Sequence, residues 1–115
     1  MMPDLSADHR RIVLEILGAH LPATAKVWVF GSRATGRARR YSDLDLAIDA
    51  GRELTLDEFA ILAEAFSDSD LPYRVDVVDW SATDESFRCL IVAERAPLNR
   101  AAQAEASGEA ENRLS

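Results

Sequence analysis

The chain of 115 residues carries thirteen basic and twenty acidic side chains, for a net charge of −7, and 48% of its residues are apolar. This length suits one compact domain, and the acidic balance disfavours a dedicated binder of duplex nucleic acid, which needs a basic face. The single cysteine, Cys89, excludes a disulfide framework and a cysteine-rich zinc site. No apolar run approaches the ~18 residues of a membrane span, and the acidic N-terminus is unlike a signal peptide. We therefore expect a cytoplasmic protein with no membrane contact.

The spacing of apolar residues predicts elements in the order α-β-β-α-β-α. A helix capped by Ser6 precedes a strand over residues 27–30, whose continuous apolar run indicates burial on both faces. Residues 32–41 are small, basic and glycine-containing, which indicates a loop or short helix. Alternating polar and apolar residues over 43–48 indicate a second strand with one wet edge or face.

The second half of the chain continues with a helix over 55–66, a strand over 73–78 and a last helix over 84–95, in which Cys89 is expected to be buried. The fold class is therefore α/β or α+β, with a small mixed sheet flanked by helices. One domain is predicted over residues 1–100. The composition of 101–115 predicts a flexible tail, with a helix as the alternative.

The loop after the first strand opens with Gly31-Ser32 and carries four arginines within eight residues, at positions 33, 37, 39 and 40. Glycine allows a sharp turn and a close approach of the backbone to a ligand. Consecutive N–H groups at such a turn can hold an anion, and arginine suits phosphate oxygens. A Gly-Ser pair by itself is more often a plain turn from strand to loop.

The second strand opens with Asp43-Leu44-Asp45. Side chains two residues apart in a strand lie on the same face, with Cα atoms roughly 6.5 Å apart. Two carboxylates held so closely repel each other unless a cation lies between them, and magnesium prefers such oxygen ligands together with substrate phosphates. The alternative is a surface strand with solvated aspartates, or Asp43 as a turn residue.

The combination is more specific than either half. Gly31-Ser32 ends one apolar strand, ten residues follow, and Asp43-x-Asp45 opens the next strand. In this pattern the chain resembles the polymerase-beta-like nucleotidyltransferases, and among them the minimal nucleotidyltransferase (MNT) family. The resemblance covers residues 25 to about 95 and implies the nucleotidyltransferase fold.

The family pattern implies a third carboxylate on a later strand, for which Asp76 and Asp79 are the candidates. An aspartate flanked by valines in a central strand is costly unless it is paired. The family also places this acid early in the strand, which selects Asp76. Asp79 is expected to cap the strand end or the turn into Trp80-Ser81.

The resemblance implies a role for each residue. Asp43, Asp45 and Asp76 are the expected catalytic residues and the ligands of two Mg²⁺ ions. Gly31, Ser32 and Arg33 are the expected nucleotide-binding residues. Arg33 is the arginine expected to contact the triphosphate, because it directly follows Ser32.

Larger members of the superfamily carry an extra helical domain, and this chain is expected to lack one. The resemblance implies a helical HEPN-type partner, a toxin that the MNT protein silences by transferring AMP from ATP to a tyrosine. A transferase for a small hydroxyl compound, with a separate substrate-binding subunit, is one alternative. A partner-binding module without catalysis is another.

Overall fold

The computed structural model describes residues 3–104. Its helices and strands are α1 (Ala7–His20), β1 (Lys26–Phe30), α2 (Ser32–Thr35), β2 (Leu44–Asp49), α3 (Leu56–Ser67), β3 (Val75–Asp79), α4 (Glu85–Glu94) and β4 (Ala96–Pro97), with a 3₁₀ turn at Trp80–Ala82. The predicted order is confirmed, with α2 in the segment predicted as a loop or short helix, and β4 and the 3₁₀ turn are additions to it. In the part of the chain that the structure describes, no helix is long and apolar enough to cross a membrane.

Local capping sets several of these boundaries. Ser6 Oγ accepts a hydrogen bond from the backbone N–H of His9, and α1 begins there. Thr55 and Glu58 form a reciprocal capping box at the start of α3. The side chain of Asp84 caps α4 by accepting a hydrogen bond from the backbone N–H of Phe87.

The four strands form one mixed sheet in the order β3-β2-β1-β4. β1 pairs antiparallel with β2 and β4, whereas β2 and β3 are parallel. β2 is therefore a central strand and β3 an edge strand. This corrects the expectation that Asp76 lies in a central strand, and it explains why residues 75–78 are only partly buried.

Each face of the sheet carries its own core cluster, and the cluster on the first face is the larger. Helices α1 and α3 pack on the first face, where the core includes Leu17, Val29, Leu46, Leu62 and Phe66. On the second face, a smaller cluster joins Trp28, Phe30 and Ala47 to Ile91 of α4 and to Ala102. β2 is consequently more buried than a strand with one wet face.

One prediction of burial and one of a domain boundary differ from the structure. Cys89 is exposed, so the expectation of a buried thiol is wrong. Residues 100–104 are helical and Ala102 is buried, so ordered backbone extends past the predicted boundary at residue 100. The rest of the predicted tail, residues 105–115, lies outside the described residues.

Candidate active site

The turn that leaves β1 is shaped by Gly31. Its φ of 73° and ψ of −152° lie in a region that side chains strongly disfavour. A Cβ atom at this position would overlap Oδ2 of Asp45 and lie 3.4 Å from its Cγ. Glycine is therefore required both for the turn and for the close approach of the backbone to a carboxylate. Ser32 and Arg33 follow as the first residues of α2, where backbone N–H groups have no partner within the helix.

The sheet register brings the predicted carboxylates together. Asp45 lies directly opposite Asp76 on the parallel strand β3, and opposite Phe30 on β1. Asp43 comes two residues before Asp45, on the same face of the sheet by strand alternation. All three acids are thus on the second face, beside the Gly31 turn.

The electrostatics at Asp45 reflect this crowding. Burial, followed by repulsion from Asp76 and Asp43, raises the pKa of the Asp45 carboxyl above its ordinary value. The positive charge of Arg74 opposes the rise, and Glu94 adds to it. The site therefore has an excess of negative charge that a cation would relieve.

Arg74 is the cation nearest to this cluster among the contacts of the described residues. Its Nε lies 3.1 Å from Asp76 Oδ1, and its Nη2 lies 3.3 Å from Asp76 Oδ2 and 3.8 Å from Asp43 Oδ2. The carboxylates also raise the pKa of the Arg74 guanidinium, chiefly through the hydrogen bond from Arg74 to Asp76. Sequence reasoning gave Arg74 no role.

Glu94, at the end of α4, is a fourth acid that sequence reasoning missed. Its Oε2 accepts a hydrogen bond of 3.1 Å from the backbone N–H of Gly31, and its Oε1 lies 3.6 Å from Arg37 Nη2. Glu94 therefore ties the Gly31 turn to α4 and to the basic loop. In the sequence it is one of many acids on an amphipathic helix, and no local signal distinguishes it.

The position of Arg33 contradicts the prediction that its side chain contacts the triphosphate. The side chain is 6% exposed, and its guanidinium donates to the carbonyl oxygens of Ser42, Asp4 and Arg40 at 2.9–3.2 Å. It also stacks over the ring of Tyr73, 4.0 Å from the centroid. These contacts use the guanidinium to hold the loop closed, so only the backbone N–H of Arg33 is left for a phosphate.

Asp79 has the capping role expected of it. Its carboxylate accepts from the backbone N–H groups of Ser81 at 3.1 Å and Leu54 at 2.7 Å. Asp79 is 5% exposed and lies at the far end of β3 from the turn. Asp76 is therefore the only acid of β3 that borders the Gly31 turn.

The residues fit a divalent cation by their chemistry. Carboxylate oxygens are the ligands that Mg²⁺ prefers, and the raised pKa of Asp45 marks a site short of positive charge. As the side chains stand, no three acidic, histidine or cysteine residues within 3–104 are disposed to hold a metal ion. Asp76 is instead turned towards Arg74, which engages both of its oxygens.

Known proteins resemble this chain in sequence. A family described as "Polymerase beta, Nucleotidyltransferase" matches residues 14–102. The chain is 48% identical over 88 residues to the "Probable protein adenylyltransferase MntA" of Haemophilus influenzae, and the match covers 76% of each chain.

Solved structures share the fold. A toxin–antitoxin with AMP-PNP matches with a TM-score of 0.68 and 22% identity, over 92% of this chain and 98% of that chain. A tri-AMPylated HEPN toxin from Shewanella oneidensis in complex with an MNT antitoxin gives a TM-score of 0.60 and 20% identity, over 92% and 96% of the two chains. At this level of identity the likeness concerns the fold.

Proposed function

The chain belongs to the polymerase beta nucleotidyltransferase family, and from this we propose that it transfers AMP from ATP to a tyrosine hydroxyl of a HEPN-type toxin, as the antitoxin. The observation that carries the proposal is the register of Asp45 against Asp76, beside the Gly31 turn. The adenylyl donor and protein acceptor follow from the named activity of the relative that is 48% identical.

The nucleotide would bind at the turn between β1 and α2. Ser32 Oγ and the backbone N–H groups at the start of α2 come directly after the Gly31 turn, which borders Asp45, and such donors suit the β- and γ-phosphates. The absent side chain of Gly31 leaves room for this approach.

Asp43, Asp45 and Asp76 would hold divalent metal ions. When bound, such ions neutralise the charge of the triphosphate and stabilise the entering and leaving oxygens. Asp45, which is the most confined of the three by its contact with the Gly31 turn, fixes the position of the phosphates relative to the sheet.

The reaction is an in-line displacement at the α-phosphorus. The acceptor oxygen forms a bond to that phosphorus, the bond to the bridging oxygen breaks, and pyrophosphate leaves. Asp76 takes the proton of the acceptor hydroxyl, because it lies on the edge strand and its side chain is reachable from outside the sheet. Since the donor is ATP, we expect the protein to act in the cytoplasm.

The test is transfer of label to a copurified partner. The chain is purified with the product of its neighbouring gene, and each of the four α-labelled nucleoside triphosphates is offered with Mg²⁺. We expect label from ATP on a tyrosine of the partner, and none with the double variant Asp43→Ala and Asp45→Ala.

A matched control removes two exposed aspartates away from the site, Asp57→Ala with Asp68→Ala, and should transfer normally. Label on a small hydroxyl compound would refute the protein acceptor. Unchanged neutralisation of the toxin by the Asp43 and Asp45 double variant, without any transfer by the unmodified chain, would refute an enzymatic role.

A further inference from the structure

Arg74 contacts two of the three carboxylates of the cluster, those of Asp76 and Asp43. It is the residue before β3 and shares a face of that strand with Asp76. Its guanidinium contacts both oxygens of Asp76 in a two-pronged pair and reaches towards Asp43. A planar guanidinium is well matched to a carboxylate in this arrangement.

These contacts explain why the acids do not converge. A metal ion held by Asp43, Asp45 and Asp76 needs at least one free oxygen from Asp76, but Arg74 engages both. Within residues 3–104 no three candidate ligands are disposed to hold a metal, although the sheet register sets Asp45 beside Asp76. The strand register therefore places Asp45 and Asp76 where they could share a cation, but both carboxylate oxygens of Asp76 contact Arg74.

The Arg74 side chain is also free to leave. It is 74% exposed, so its ion pair with Asp76 is weak and easily exchanged. It borders a cavity of about 740 Å³ between α3 and the edge of β3, lined by Phe66, Leu71 and Tyr73 among others. Its exposure lets the guanidinium leave the carboxylates for solvent.

We propose that Arg74 is a positioning residue that serves as the counter-charge of the carboxylate cluster in the metal-free protein and is displaced when a divalent cation binds. The proposal rests on the metal site of the proposed function. Arg74 and the cation compete for the oxygens of Asp76, and between reaction cycles the charge of Arg74 offsets the repulsion among the acids. Because the two compete, removal of the Arg74 charge must strengthen metal binding.

The test measures binding of Mn²⁺ alone, by the loss of its free electron paramagnetic resonance signal, at mildly alkaline pH without nucleotide. Arg74→Gln should bind Mn²⁺ roughly three- to tenfold more tightly than the unmodified chain, given the repulsion between a single and a double positive charge at this range. Arg74→Lys, which keeps the charge but loses the two-pronged contact, should lie between them. Arg11→Gln, a change of the same charge on exposed α1, should have no effect.

A merely structural role would give the opposite sign, since damage to the site weakens metal binding. Equal or weaker Mn²⁺ binding by Arg74→Gln, with normal binding by the unmodified chain, would overturn the proposal and leave the metal site intact. Absence of Mn²⁺ binding in every variant would overturn both.

The unmodified chain offers a second measurement. The Nε–H signal of Arg74 in a nitrogen–proton spectrum should shift as Mg²⁺ is added, because its hydrogen bond to Asp76 is lost. The Arg11 signal should stay in place. A signal of Arg74 that does not respond to saturating Mg²⁺ would refute displacement without any substitution.

Discussion

Replacement of Gly31 by alanine tests how closely the Gly31 turn packs against the carboxylate of Asp45. The backbone angles of Gly31 lie in a region whose cost for other residues is about 1–3 kcal/mol. The new Cβ would also overlap Asp45 Oδ2, so Asp45 or the turn must shift. A misplacement of about 1 Å at a reacting centre can cost about 100-fold in rate.

Gly51 provides the matched control. It also has a positive φ, 79°, but an added Cβ would meet no atom within 4 Å. Gly51→Ala should lower the free energy of unfolding by about 1–2 kcal/mol and leave AMP transfer unchanged. Gly31→Ala should lower stability by at least as much and reduce transfer by about 100-fold.

A double-mutant cycle separates the overlap from the backbone strain. Urea unfolding of Gly31→Ala, Asp45→Ala and the double variant should give a coupling of about 0.5–3 kcal/mol, because the overlap exists only when both side chains are present. Stability changes that simply add, or normal transfer by Gly31→Ala, would refute the reasoning.

The remaining predictions concern single side chains. Asp45→Asn should abolish transfer yet stabilise the metal-free protein. Because the pKa of Asp45 is raised on folding, the folded state binds more protons than the unfolded state, and the stability of the unmodified protein falls as pH rises above about 4. Urea unfolding across this range should show the gain of the variant growing with pH, and a gain largest in acid would contradict it. Glu58→Gln should destabilise the protein at neutral pH but not in acid, because the pKa of Glu58 falls from 4.5 to about 2 on folding, chiefly through Arg52. Thermal melts should therefore converge as pH drops through that window, and a constant difference would argue against it. Arg33→Lys should lower stability by about 1–3 kcal/mol, as carbonyl oxygens lose their donors, without changing nucleotide affinity in a binding titration. Unchanged stability with weaker nucleotide binding would instead support the predicted contact between Arg33 and the triphosphate. Glu94→Ala should weaken nucleotide binding, whereas Glu94→Gln, whose amide oxygen can still accept from Gly31, should not. Equal losses would show that the charge of Glu94 matters instead.

Signals that act within a few residues made much of the fold predictable. Ser6 and Thr55 announce helix starts because their side chains bond backbone N–H groups three residues ahead. Gly31 and the spaced aspartates could be identified for the same reason, since a turn and a strand period are local properties. The choice of Asp76 over Asp79 relied instead on the family pattern, which places the acid early in the strand.

What escaped prediction depends on contacts between distant segments. β4 contains only two residues, one of them Pro97, and is a strand because the edge of β1 is available to it. Glu94 meets Gly31 across 63 positions, and the burial of Arg33 depends on Asp4 and Tyr73. Arginine patterns indicate charge but not direction, so the sequence could not distinguish a guanidinium that meets phosphate from one that closes a loop.

The contact of Glu94 with Gly31 has a consequence for synthesis on the ribosome. The Gly31 turn is translated early, but the acceptor for its backbone N–H emerges with α4, and the side chain of Asn99 that bonds Val27 and Ala25 follows still later. A nascent chain must therefore expose nearly all of the described residues before this turn is fixed. Shortened products of interrupted translation would carry all three aspartates and yet lack the hydrogen bond from Gly31 to Glu94 that holds the turn.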